Sequence, residues 1–154
     1  MRITEAVRCA GVVTLCLFVV APTAATAQDV TAIGVWQQVD DKTGEIGALV
    51  TIYERNGRFE GKITKLFPKP GDPAHPVCLR CNGARKGKPY LGLEIIEDLR
   101  RHGLTYDGGT ILDPENGAEY GLQLQLSPDG RLLTVRGFLG MSLFGRSQEW
   151  RRLS

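Results

Sequence analysis

The sequence predicts an all-β fold, a small up-and-down antiparallel β-barrel of about eight strands. Three observations predict it. Glycine supplies 19 of the 154 residues and gathers at turn positions. Between those turns run short segments in which apolar and polar residues alternate, the mark of strands with one buried face. The segments follow one another closely enough to pair as hairpins, and closing the sheet removes its exposed edges. With 42% hydrophobic and 23% charged residues, the chain can build one domain with a real core. A net charge of +2 does not indicate nucleic-acid binding through a basic surface. Only two histidines are present, which excludes most sites needing several.

The first 27 residues read as a secretory signal peptide and not as part of the fold. Arg2 and Arg8 precede an apolar run from Cys9 to Ala21, Pro22 breaks it, and Ala25-Thr26-Ala27 gives the small-x-small pattern of signal peptidase sites. Cleavage is expected between Ala27 and Gln28. The apolar run is shorter than the roughly 20 residues of a membrane span, so no span is expected in the mature chain. Neither Cys9 nor Cys16 lies in a lipoprotein box. The mature chain, 28–154, carries a net charge of +1 and retains only Cys78 and Cys81.

Candidate strands lie at 35–39, 46–54, 58–66, 91–97, 110–112, 120–126, 131–139 and 143–151. Arg55-Asn56-Gly57-Arg58 is an Asn-Gly hairpin, in which both central residues accept the positive φ of a type I′ turn. Ser127-Pro128-Asp129-Gly130 reads as a type I turn. Segments 40–44 and 113–117, and Asp107-Gly108-Gly109, are further turn signals. In 120–126, Tyr120, Leu122, Leu124 and Leu126 alternate with Gly121, Gln123 and Gln125. Segment 91–101 is ambiguous: Ile95, Ile96 and Leu99 also fit a helical stripe ending at Gly103.

One long connection interrupts the meander, residues 67–89. It holds five of the eight prolines and both mature cysteines, and its net charge of +4 leaves about −3 for the rest of the mature chain. A connection of this length is a functional loop, a lid or a solvated excursion. Cys78-Leu79-Arg80-Cys81 is a C-x-x-C pair. No βαβ pattern surrounds it, as a thioredoxin-like site would require. His75 and His102 are tolerable zinc partners in spacing, but there is no second C-x-x-C. In an exported protein, a structural disulfide is the expectation.

No catalytic constellation is expected. There is no nucleophile elbow, and most acids sit in turns, where a local hydrogen bond explains them. No residue pattern asks for a cofactor or a metal.

Gly34-Val35-Trp36 on the first strand, with Trp150-Arg151-Arg152 on the last, resembles the barrel-closing arrangement of the calycins, which include the lipocalins and fatty-acid-binding proteins. A longer series of motifs is more specific. It comprises Cys78-x-x-Cys81, Pro89-Tyr90-Leu91-Gly92-Leu93, Gly108-Gly109-x-Ile111-Leu112-Asp113-Pro114, Val135-Arg136-Gly137-x-x-Gly140 and Phe144-Gly145-Arg146-x-Gln148-x-Trp150. Together they resemble a bacterial exported family, domain of unknown function 2147, over about residues 34–152. The resemblance implies a calycin-like β-barrel in the periplasm or outside the cell, and brings no established activity. A second lipocalin motif, a C-terminal helix and the helical pair of fatty-acid-binding proteins are lacking.

An eight-stranded barrel either fills with side chains or holds one ligand. The expectation is a non-catalytic binder of a small hydrophobic or anionic amphipathic molecule. Arg136 and Arg146, with Gln148, are the candidates to grip its head group, and Trp36, Tyr120 and Phe138 to line its apolar part. The competing expectation is that these arginines face solvent or stack on Trp36 as a latch. In a second reading the protein is an envelope structural or protein-interaction module. It would use the basic loop 67–89, with Arg85, Lys86 and Lys88, to contact acidic partners or glycans. No protein partner can be named from the residues.

Overall fold

The computed structural model describes residues 29–40, 43–140 and 145–154. The expected signal peptide and cleavage site lie outside the described residues, as does the start of the last expected strand. Eight antiparallel strands form a closed barrel in sequence order: β1 (Gly34–Val39), β2 (Ile46–Arg55), β3 (Arg58–Leu66), β4 (Glu94–His102), β5 (Thr105–Asp113), β6 (Ala118–Leu126), β7 (Leu132–Phe138) and β8 (Gly145–Arg152). One 3₁₀ turn, Gly83–Arg85, lies in the long β3–β4 connection. No helix among the described residues is long and apolar enough to cross a membrane.

One ambiguous segment is resolved and one expected element is corrected. The stripe Ile95, Ile96, Leu99 belongs to a strand, the type expected at 91–97, and not to the helix its spacing also allowed. That strand runs from Glu94 to His102. The β3–β4 register slips on both sides of the Gly61–Ile96 pair, and Asp98 takes a positive φ of 63°. Each slip inserts a residue and breaks the two-residue alternation, so Ile95 and Ile96 are both buried. Likewise Asp107-Gly108-Gly109 is not a turn. It lies inside β5, where the pairing with β6 slips between Tyr106 and Gly109. β5 is therefore longer than the expected 110–112.

The barrel closes where β1 meets β8, with Trp36 opposite Arg152 and Gln37 opposite Arg151. Arg152 crosses this seam, its guanidinium carbon 4.3 Å from the Trp36 ring centre. It also donates to the carbonyls of Thr31, Ile33 and Gly130. Gly34 permits the approach: a Cβ there would stand 2.5 Å from both Arg152 Nη1 and the Ser154 carbonyl oxygen, and its φ is +143°. The arginine that stacks on Trp36 is thus Arg152, as the barrel-closing arrangement of the calycin resemblance implies. The latch expected of Arg136 or Arg146 is made by Arg152 instead.

The strap before β1 seals this end. Ala32 is fully buried; its N–H donates to the Tyr106 hydroxyl at 2.8 Å, and its carbonyl accepts from Trp36 Nε1 at 2.8 Å. Arg101 holds Asp29 through two hydrogen bonds of 2.8 and 2.7 Å. Above the strap, Trp36, Ile52, Leu99, Tyr106, Leu124, Leu126 and Leu133 are fully buried, with Phe59 edge-on to Tyr106 at 4.8 Å. This half of the barrel is solid core.

Candidate functional site

At the other end several lining residues, Gln38, Leu66, Ile111 and Gln148, are only partly buried. A cavity of about 890 Å³ opens there. Ala48 and Val50 of β2, Ile63 of β3 and Trp150 of β8 form its apolar wall. Each belongs to the interior stripe of its strand and is buried, Val50 at 1% and Trp150 at 2% exposure, so together they form the floor of the opening. Gln38, Arg146 and Gln148 add polar groups to the wall. Gln148 accepts from Trp150 Nε1 at 3.3 Å, which fixes the indole edge beside the amide.

The rim is made by the β1–β2 turn, the β3–β4 connection and the β5–β6 turn. Asp40, Glu45, Asp72, Asp113 and Glu115 give it an acidic cast, against Lys69 and Arg146. Lys69 reaches across the mouth to Glu45 at 2.7 Å. That hydrogen bond holds the Glu45 carboxyl below the usual carboxylate range and raises Lys69. Lys69 N–H also donates to Asp72 at 2.8 Å, turning the connection back on itself.

Beyond the rim the connection forms an excursion, residues 76–90. Val77 bridges Pro89, and Cys78 is disulfide-bonded to Cys81. Both cysteines are buried, at 0% and 1% exposure, within the apolar core cluster. His102 ends β4, at the opposite end of the barrel, so the spacing-compatible zinc set is not assembled. Three contacts pin the excursion to the barrel. The Tyr90 hydroxyl donates to the Pro114 carbonyl at 2.8 Å, and burial pushes its pKa up. Arg85 pairs with Glu97 at 3.2 Å and with Glu119. Gly117, with φ +75°, has the Arg80 carbonyl where a Cβ would go, 2.1 Å away.

The structure brings together some of the expected ligand residues and separates others. Arg146 and Gln148 share the cavity with Trp150. Arg136 and Phe138 do not join them. On β7 the buried residues are Leu133 and Val135, paired with Trp150 and Gln148, so Arg136 and Phe138 face outward. Arg136 donates to the Ser147 hydroxyl there, and the Phe138 ring lies over Gly121. Trp36 sits in the solid half under Arg152, and Tyr120 accepts from Asn116 Nδ2 at 3.1 Å near the rim without lining the cavity. Sequence reasoning missed Ala48, Val50, Ile63 and the rim acids. Gln38 was within reach, being two residues from Trp36 on the same face.

A family model described as an uncharacterized protein conserved in bacteria, domain of unknown function 2147, matches residues 34–152. The chain belongs to this family. Its barrel is similar to a solved structure described as protein HP1028 from the human pathogen Helicobacter pylori, a member of the lipocalin family. The TM-score is 0.69 at 20% identity, over 81% of this chain and 84% of that one. Family membership and the closed eight-stranded barrel together establish a lipocalin-like fold for this member. No curated protein matches the sequence.

Proposed function

We propose that the protein is an exported, non-catalytic carrier that holds one small amphipathic molecule in the open half of its barrel. The observation that carries this reading is the cavity of about 890 Å³ above a solid, sealed base. Its size falls within the roughly 300–1,000 Å³ of small-molecule sites, and its wall has their composition, apolar with a few convergent polar groups. The apolar body of the ligand lies against Val50, Ile63 and Trp150. Its head group is anionic and reaches Arg146 and Gln148; a planar guanidinium offers five donors and suits a carboxylate. The carboxylates of the rim repel an anion elsewhere around the mouth, so the head group sits at the arginine. A leader of 27 residues and a disulfide, which persists in oxidising compartments, support an extracytoplasmic setting.

The test is displacement of the fluorescent apolar probe N-phenyl-1-naphthylamine from the purified protein. Competitors are an acid, an alcohol and an amine of equal chain length. The acid displaces the probe best, and Arg146→Met brings it level with the alcohol. A probe that does not bind, or an amine that competes best, overturns the reading.

A further inference from the structure

The excursion 76–90 is braced in a way that decides which of its side chains face water. The Cys78 N–H donates to the Lys88 carbonyl, and the Gly87 N–H to the Cys78 carbonyl, both at 2.8 Å. With Cys78 turned into the core by the disulfide, its neighbours in this extended pair face the other way. Val77 and Leu79 are accordingly exposed, Leu79 at 72%, and Leu91 just beyond the excursion at 59%. The surrounding stretch, residues 73–93, contains no acid and four basic residues. Arg85 is engaged by Glu97 and Glu119. Arg80, Lys86 and Lys88 are exposed.

We infer that this basic, aliphatic excursion docks the protein on an anionic lipid surface. Aliphatic side chains flanked by cations suit the interface of such a bilayer: the first enter the acyl boundary while the second stay among the phosphates. Lysine is depleted at protein interfaces, and leucine and valine are under-represented among their hot spots, so the composition favours lipid over a protein partner. The brace also removes much of the ordering cost, because the excursion is already fixed to the barrel by Tyr90, Arg85 and the close approach at Gly117. Placement adds to the argument. Val77, Leu79 and Tyr90 border the cavity as well as the excursion, so docking sets the mouth beside the membrane while the opposite end is closed by the strap. Asp113 and Glu115 of the β5–β6 turn lie beside Tyr90 and bound the basic face on that side.

Cosedimentation with lipid vesicles tests the inference. Vesicles of mixed phosphatidylglycerol and phosphatidylcholine should bind the purified protein on the order of tenfold more tightly than phosphatidylcholine alone, and added salt should weaken the binding. Leu79→Ser with Leu91→Ser, and separately Lys86→Glu with Lys88→Glu, should each lower binding on the order of tenfold. Near-ultraviolet circular dichroism from Trp36 and Trp150 shows that both variants keep the fold. Equal binding to both vesicles, no binding, or variants that bind like the parent overturn the inference. So does a protein partner that both variants lose while vesicles are ignored. Val50→Trp, which fills the cavity, should dock unchanged, so failure of ligand binding and failure of docking are read separately.

Discussion

Arg152 joins the two chain ends. Its plane covers the Trp36 ring, and its nitrogens satisfy three backbone carbonyls from the strap and the β7 approach. Burial pulls its pKa down, yet a guanidinium stays charged in a protein, so the cost of partial burial is offset by these hydrogen bonds. Each is worth more than a neutral bond because the donor is charged. Arg152→Ala should therefore destabilise the protein by about 3 kcal/mol, from lost stacking and unpaired carbonyls. Arg152→Lys recovers little, since a point charge cannot stack and reach three acceptors together. Urea unfolding measures both. Because Arg152 lies at the sealed end, probe affinity at the mouth stays unchanged. This residue was legible in the sequence only through the resemblance of Gly34-Val35-Trp36 and Trp150-Arg151-Arg152 to the calycin closing arrangement. Arg136 was not: 132–138 places apolar side chains on both faces, with Leu132 and Phe138 opposing Leu133 and Val135. Alternation alone cannot choose the inner one.

Among the elements, strands were legible where pairing is regular and obscure where it slips. β3 spans 58–66 as its hairpin turn and alternation predict, and β2 and β6 extend the expected segments by one or two residues. β4 and β5 carry bulges whose extra residues mimic a helical stripe in one and a glycine turn in the other. The mouth depends on an element pair that no local pattern announces, the β1–β2 turn and the β3–β4 connection joined by Glu45 and Lys69. The Glu45 carboxyl is held down first by the Lys69 hydrogen bond and then by its charge. A carboxyl depressed in the folded state contributes above its unfolded pKa, and the contribution is lost as pH falls through the folded one. The latch thus holds at neutral pH and releases as pH falls below the ordinary carboxylate range. Both groups are exposed, so the effect is modest: probe release should quicken about two- to fivefold across that window. In Lys69→Met, release should be fast at neutral pH and nearly flat toward acid. Stopped-flow release at stepped pH distinguishes the two.

Considered whole, the molecule divides its interior into two halves with different duties. Large side chains from β1 to β7 meet at the strap end, and the interior opens above Val50, Ala48, Ile63 and Trp150 at the other. Barrel closure could be read from the sequence; this division could not, because it depends on which residues of eight separate stripes share a level. It makes stability and binding separable. Leu124→Ala removes a fully buried side chain from the solid half, where neighbours cannot collapse into the gap, and should cost about 2–5 kcal/mol while leaving probe binding intact. Val50→Trp places an indole in the cavity. It should abolish probe binding and cost about 1–3 kcal/mol, because Val50 itself is 1% exposed and the indole must push its neighbours toward the opening. Chemical unfolding and probe titration on the same two samples give the comparison. If the two substitutions moved stability and binding together, the interior would be one continuous site, and the carrier reading would lose its sealed base.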